Sequence, residues 1–420
     1  MSKITNTTCV LPWIHFSLKP NGDIKPCCRF VTYHDDETSA QYLNFNVSNY
    51  NNATDVLKST QFENIRQKML NGDRISGCKK CYMEEEIHGS SMRHGVNEEY
   101  DVESVVGENQ LGLQFLEVGF GNYCNLACRS CGADLSTSWF EDDRVLSKYY
   151  DRDIQTKIKN SKFLWKSDDF KTVTYIKFTG GEPMLHPNFI KFLDVIISGG
   201  HHTHITLEVF TNCSWDPKDK ILNRLKKFQN VKIYLSVDGM GEVNNYIRHY
   251  SNWETVERSL LTWLTLEKTT INFSLILTPT ISIYNIFDIK DLLFYWKKIR
   301  TDVGLELTRE NGNIIANIVT YPEYISLQLL PDKDQIIKEL ELYTNNKEIY
   351  TIPLERIVEV LKSKNKVNHT LEYFLNYTAD LDKLRNQSLE NSIPKLWNYL
   401  NNYFNKISVD IKDFKGKINE

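Results

Sequence analysis

The stretch that decides the fold is Gly121-Asn122-Tyr123-Cys124-Asn125-Leu126-Ala127-Cys128-Arg129-Ser130-Cys131. An apolar run, Leu113–Val118, precedes it and reads as a strand; Ala133–Tyr149 follows and reads as a helix. Three cysteines with the spacing C-x3-C-x2-C therefore sit on a strand-to-helix loop. A loop is a poor place to bury three inert thiols. Three thiolates on one loop can cap three irons of a cubane and leave the fourth iron open to a small molecule. Zinc with a histidine as fourth ligand is the alternative, but the nearest histidines are His94 before the loop and His186 after it.

Outward from this loop, strand-like and helix-like segments alternate. Val173–Phe178, Ile205–Phe210, Val231–Val237 and Ile271–Leu277 read as strands. Asn188–Ser198, Pro217–Phe228, Trp253–Leu266 and Ile286–Ile299 read as helices, with Asp216 as N-cap and Pro217 in the first helical position of the second. A sixth strand falls at Leu305–Thr308 or at Ile314–Val319. Repeated strand–helix units imply a parallel sheet. The expected class is α/β, a partial (β/α)6 TIM-like barrel whose chemistry gathers on the loops after the strands. Residues 1–105 form a cysteine-rich N-terminal domain, 106–324 the partial barrel, and 325–420 a helical C-terminal region with amphipathic stretches at Leu381–Leu389 and Pro394–Phe404.

Composition narrows the function classes. The chain has 420 residues, 41% hydrophobic and 25% charged, enough for a sizeable core. A formal net charge of -4 and the lack of a long basic run argue against bulk nucleic-acid binding. No stretch approaches the roughly 18 apolar residues of a membrane helix, and Met1–Thr8 has no apolar signal core. The reading is a cytoplasmic protein without a membrane partner. In that reducing compartment the nine cysteines (9, 27, 28, 78, 81, 124, 128, 131 and 213) are expected to ligate metal rather than pair as disulfides. His201, His202 and His204 precede a strand and are expected in a solvated loop on the face away from the chemistry.

Later strands end in further motifs. Phe178-Thr179-Gly180-Gly181-Glu182-Pro183 supplies two glycines that let backbone approach a ligand, and a carboxylate that can accept from an ammonium. Phe210-Thr211-Asn212, Leu235-Ser236-Val237-Asp238-Gly239 and Tyr246-Ile247-Arg248 follow. Taken with the cysteine loop, these resemble the radical S-adenosylmethionine (radical SAM) superfamily. The resemblance implies an enzyme with a catalytic [4Fe–4S] cluster on Cys124, Cys128 and Cys131, whose open iron binds SAM. Reductive cleavage of SAM then yields a 5′-deoxyadenosyl radical that abstracts a substrate hydrogen. It also implies that Gly180, Gly181 and Glu182 hold the SAM amino group, that Thr211 and Asn212 line the pocket, and that Ser236 and Asp238 reach the ribose. Arg248 would pair with the SAM carboxylate, a task suited to a guanidinium. Two departures stand out. Ser130 occupies a position where many members have an aromatic ring, with Tyr123 the candidate replacement. Cys213 replaces the glycine of the family's T-N-G, as a small half-buried residue or a donor facing substrate.

The N-terminal cysteines form C-x12-G-x4-C from Cys9 to Cys27, followed by Cys78-Lys79-Lys80-Cys81. Asn21-Gly22-Asp23 is a hairpin turn signal that would bring Cys9 and Cys27 to one end. A zinc ribbon and a second cubane fit this spacing equally. Beside radical SAM motifs, the pattern resembles the twitch domain, a shortened SPASM domain that usually follows the barrel and here precedes it. Cys9-Val10-Leu11-Pro12-Trp13, Pro26-Cys27-Cys28 and Gly89-Ser90-Ser91-Met92-Arg93 resemble a twitch-containing radical SAM family with this order. The resemblance implies an auxiliary [4Fe–4S] cluster on Cys9, Cys27, Cys78 and Cys81 that assists a net oxidation. Cys28 is the alternative to Cys27, an electron path or a buried thiol. Implied partners are SAM, an external electron donor such as flavodoxin or ferredoxin, and a peptide, protein or small-molecule substrate. Glu117, Lys177 and Arg309, near strand ends, are candidates to meet it. The competing class is a non-catalytic iron–sulfur or zinc-binding scaffold, which has no need of the Gly180–Glu182 turn.

Overall fold

A computed structural model describes residues 4–32, 40–42, 45–150, 165–305, 313–345, 351–363 and 368–418. The main strands are β1 (His15–Leu18), β2 (Ile24–Lys25), β3 (Phe115–Gly119), β4 (Tyr175–Thr179), β5 (Thr206–Thr211), β6 (Asn230–Leu235) and β7 (Phe273–Leu277). They join one sheet in the order β2-β1-β3-β4-β5-β6-β7. The pairs β1–β3, β3–β4 and β4–β5 are parallel, which requires long crossovers between them. A tight turn joins β1 and β2. They pair antiparallel, and Lys19 N–H donates to the Asp23 carbonyl at 2.8 Å across Asn21–Asp23.

The α/β class with a mostly parallel sheet is as expected. The sheet is open, and no closed barrel forms among the described residues. An addition that was not expected is β1, which pairs with β3, so the cysteine-rich N-terminal stretch extends the parallel sheet on that side. Leu305–Thr308 runs into residues outside those described, as does Arg309. In the other candidate segment, Ile314 bridges Leu277 and Asn317–Ile318 pairs in parallel with Thr280–Ile281.

Two compact units divide the chain: residues 1–123, 157–209 and 220–231 in one, and 124–156, 210–219 and 232–420 in the other. In the first unit, alternation along β3, β4 and β5 sends Leu116, Val118, Ile176, Phe178, Leu207 and Val209 to one fully buried face. The helix Pro187–Ser198 covers this face, placing Phe189 and Phe192 at 5.0 and 5.5 Å from the Phe178 ring. Phe120 stacks on both Phe178 and His186. The Leu11–Ile14 turn is likewise core: Trp13 is buried, donates from its indole to Asn109 at 3.1 Å, and lies under Arg66. Arg66 in turn donates to the Pro12 carbonyl at 3.0 Å.

Three local expectations need correction. The helix expected over Ala133–Tyr149 is a 3-10 turn, Thr137–Trp139, followed by Phe140–Leu146. The Ser136 hydroxyl accepts from Ser138 N–H while donating to the Leu126 carbonyl, so the helix begins only after it. The helix after β5 starts at Asp219, not Pro217. Asp216 forms an exposed ion pair with Arg258 at 2.8 Å instead of capping. His201–His204 form a half-buried 3-10 turn, with the His201 ring 3.2 Å from the Ser167 hydroxyl.

The ring cluster at the end of β4 supports the Thr179–Glu182 turn. Phe178→Ala leaves a hole among Phe120, Phe189 and Phe192 and is expected to cost about 3–5 kcal/mol. Urea unfolding of the two proteins measures this as a lowered midpoint.

Candidate metal and cofactor sites

In the first unit, the turn after β4 is pressed against the start of the cysteine loop. Gly181 N–H donates to the Gly121 carbonyl at 3.2 Å, and Glu182 N–H to the Tyr123 carbonyl at 2.8 Å. A Cβ on Gly181 would lie 2.2 Å from the Tyr123 oxygen, and one on Gly180 2.7 Å from the Gly121 oxygen. Gly180 also adopts φ +102, open essentially to glycine alone. The Glu182 side chain is buried. The Tyr123 side chain is half-exposed.

The three thiols belong to the second unit, where hydrogen bonds shape the loop. Ser138 and Thr137 donate to the Cys124 carbonyl at 2.9 and 3.4 Å. The Trp139 indole donates to the Cys128 carbonyl at 2.9 Å. Ala127–Cys128 forms a short antiparallel ladder with Arg248–His249, opposing Cys128 to Arg248. Arg248 Nη1 lies 3.8 Å from the Cys128 sulfur, and Asn212 Nδ2 lies 3.7 Å from the Cys124 sulfur. A hydrogen bond from Cys131 holds Cys128 below the ordinary thiol value, helped by Arg248 against burial. The same bond, with burial, pushes Cys131 up. This environment favours a thiolate on the loop.

Other expected SAM contacts surround the same thiols. Asp238 is buried, accepts from Thr280 N–H at 2.7 Å, and pairs with Arg248 Nε at 2.9 Å. The two side chains that the resemblance sends to opposite ends of SAM thus hold each other here. Ser236 N–H donates to the Thr211 carbonyl at 2.8 Å, linking the ends of β6 and β5. Asn212 also donates to Asn125 Oδ1 at 2.8 Å, tying its strand end to the cysteine loop. Cys213 is fully buried rather than half-buried, and its sulfur turns back toward the Thr211 carbonyl at 3.8 Å. Its φ of +58 explains the glycine that the motif leads one to expect. A cavity of about 550 Å³ opens beside Ser130 and Cys131, lined also by Asp134, Tyr324, His369 and Tyr373.

In the first unit again, Cys9, Cys27, Cys78 and Cys81 line one small cavity of about 30 Å³ with Phe30 and Arg93. Burial pushes Cys9 up to about 12 and raises Cys27 and Cys78 as well. Thiols so placed ionise when a cation is there to pair with them. The donors are all sulfur, which suits iron–sulfur or zinc and not a hard cation. Among the described residues, no three His, Cys, Asp or Glu side chains already form a group able to hold a metal ion. Convergence therefore rests on the shared cavity. Gly77 packs so tightly on Phe30 that a Cβ would lie 2.4 Å from the ring. Arg93, from the Gly89–Arg93 segment, is buried. It donates to the Thr8 carbonyl at 3.0 Å and pairs with Glu85 at 2.5 Å, bracing the backbone beside Cys9.

Cys28 does not line that cavity. It is exposed, and desolvation and the nearby Glu117 carboxylate raise its pKa. Glu117 and Lys177 belong to a row that sequence reading only half saw. Strand register places Ser17, Glu117, Lys177 and Glu208 side by side, on the face opposite the aromatic core. Ser17 donates to Glu117 at 3.0 Å, Lys177 pairs with Glu208 at 2.9 Å, and Tyr175 donates to Glu208. Burial works against the Lys177 charge, but Glu208 and Glu117 outweigh it and raise its pKa. The overlooked signal was a charged residue flanked by apolar ones in three successive strands: Leu-Glu-Val, Ile-Lys-Phe and Leu-Glu-Val.

The model of the Radical SAM superfamily matches residues 118–293, and that of the SPASM iron–sulfur cluster-binding domain matches 9–82. An uncharacterized protein of Methanocaldococcus jannaschii is 29% identical over 142 residues, covering 34% of this chain and 44% of that protein. The chain thus matches less than half the length of that relative. Among solved structures, Streptococcus suis SuiB bound to S-adenosylmethionine is 13% identical, covers 62% of this chain and 52% of SuiB, and has a TM-score of 0.34. Native anSMEcpe with bound AdoMet is 16% identical, covering 56% and 61%, with a TM-score of 0.34. SuiB bound to its precursor peptide SuiA is 12% identical, covering 62% and 54%, with a TM-score of 0.37. The two family models, in their order along the chain, carry the assignment. This chain carries a radical SAM superfamily domain at residues 118–293, with a SPASM iron–sulfur cluster-binding domain at residues 9–82 ahead of it.

Proposed function

We propose that the protein binds a [4Fe–4S] cluster on Cys124, Cys128 and Cys131 and cleaves SAM there to oxidise a C–H bond of a peptide, protein or small polar substrate. A reduced cluster of this kind supplies the electron that converts SAM to methionine and a 5′-deoxyadenosyl radical. The supporting observation is the Gly180–Glu182 turn. It is packed so closely on the backbone before Cys124 that no side chain fits, and a buried carboxylate follows. Such a bare backbone edge with an acceptor suits the SAM ammonium.

In this reading Thr211 and Asn212 shape the pocket wall, and Ser236 offers a hydroxyl to the ribose. Asp238 orients Arg248. The guanidinium keeps donors for the SAM carboxylate and stabilises the thiolate of Cys128. Cys9, Cys27, Cys78 and Cys81 would hold a second [4Fe–4S] cluster. With all four thiols spent on ligation, its role is to accept an electron from the substrate rather than to bind substrate. An external one-electron donor such as flavodoxin or ferredoxin would reduce the first cluster. The row Ser17–Glu117–Lys177–Glu208 lies one side-chain step below Thr179, about 6–7 Å along the strand. It would meet polar groups of the substrate.

Metal analysis of anaerobically reconstituted protein tests this. About eight irons per chain are expected, falling to about four when Cys124, Cys128 and Cys131 are all changed to Ala. About four irons falling to none, with one zinc kept, would retain the first site and make the N-terminal one structural. No iron in either protein would overturn the proposal. Cys27→Ala should likewise lose the auxiliary irons, whereas Cys28→Ala should keep them; equal loss from both would refute the ligand assignment. Gly181→Ala forces the Tyr123 carbonyl away. Equilibrium SAM binding should weaken at least tenfold, about 1.4 kcal/mol or more, with iron content little changed.

A further inference from the structure

The first of the two residues between the second and third cysteines, Arg129, is wholly buried. Its guanidinium stacks 3.7 Å from the Tyr246 ring and 5.5 Å from that of Tyr284. Its Nε donates to the Tyr246 carbonyl at 3.1 Å, and its backbone N–H to the Ile247 carbonyl at 2.8 Å. The loop is thereby tied to the segment that delivers Arg248. The charge of Arg129 is met by a carboxylate more than 250 residues away: Arg129 forms an ion pair with Asp382 and donates to Gln387 Oε1 at 3.1 Å. Asp382 also accepts from the Tyr246 hydroxyl at 3.1 Å and from Leu389 N–H at 2.8 Å.

Asp382 lies on the helix Leu371–Arg385, and two other residues on its face act on the same loop region. Arg385 pairs with Asp142 at 2.8 Å and lies over the Trp139 ring at 4.3 Å, while that indole donates to the Cys128 carbonyl. Thr378 meets the Tyr284 hydroxyl at 2.8 Å. Thr378, Asp382 and Arg385 fall at i, i+4 and i+7, one helical stripe. A surface helix with no task at the loop has no reason to aim an aspartate and an arginine from that stripe inward. Taking such charges out of water is costly unless each is paired.

We propose that the C-terminal helix Leu371–Arg385 is part of the catalytic apparatus, with Asp382 and Arg385 as positioning residues. Asp382 balances the buried charge of Arg129, the chain neighbour of Cys128, and so helps to set the potential at which the cluster held by the loop is reduced. The inference rests on the cluster assignment above. A positive charge left unbalanced near a cluster favours its reduced, more negative state, and an added negative charge opposes it.

The experiment uses two near-isosteric changes in the full-length reconstituted protein, Asp382→Asn and Gln387→Glu, and their combination. The readout is a redox titration of the reduced-cluster EPR signal that changes when SAM is added, with iron measured in parallel. Asp382→Asn should move the midpoint to a more positive potential, and Gln387→Glu to a more negative one. The double variant moves the negative charge across Arg129 without changing its sum, and should return close to wild type. Unmoved midpoints with iron retained would overturn the proposal. So would iron loss in Asp382→Asn that Gln387→Glu does not reverse, since that outcome marks a brace without electrostatic effect. Absence of any SAM-responsive signal in the wild type would instead refute the cluster assignment, and this inference with it.

Discussion

A single close backbone contact sets the turn after β4 in the first unit. The Tyr123 carbonyl stands 2.2 Å from the place where a Gly181 Cβ would be. Only a chain without a side chain at that point can lie so near, and only that approach lets Glu182 N–H reach the same carbonyl. The contact holds Gly121–Tyr123 against the Gly180–Glu182 turn. Phe120, Phe178 and the helix Pro187–Ser198 hold the two strand ends from behind. In the second unit, side-chain hydrogen bonds from Thr137, Ser138 and Trp139 hold the course of the cysteine loop.

The sheet of the first unit separates two environments by the period of a strand. One face carries only apolar residues against a helix. The other carries Ser17, Glu117, Lys177 and Glu208 in register. A charge is costly on the first face and tolerated on the second because each carboxylate there has a donor and the lysine has a carboxylate. The N-terminal hairpin contributes both to the polar row and to the thiol-lined cavity. Through β1 it supplies Ser17 to the row, and just beyond β2 it carries Cys27 into the small thiol-lined cavity while Cys28 points elsewhere.

Charge balance connects the far C-terminal residues to the cysteine loop in the second unit. Arg129, Arg248 and Arg385 are all buried, and each meets an aspartate: Asp382, Asp238 and Asp142. Breaking such pairs by removing one partner leaves an uncompensated charge, a loss of about 3–5 kcal/mol. The three pairs therefore constrain the loop and its neighbouring strand ends together.

The sequence by itself determined the α/β class, the positions of most strands and helices, the cysteine loop and the motifs that follow it. Those features are local: strand alternation, helical periodicity, ligand spacing and the need for glycine at a close approach are all written within a few residues. The choice between Cys27 and Cys28 as a liner of the thiol cavity was not, because adjacent residues differ only in which way the folded hairpin points them. Nor was the pairing of His15–Leu18 with β3, since strand order depends on pairing across a hundred residues. The pairing of Arg248 with Asp238 and of Arg129 with Asp382 was equally hidden. A buried charge takes whichever partner the packed chain brings within reach, and only the tertiary structure decides which that is.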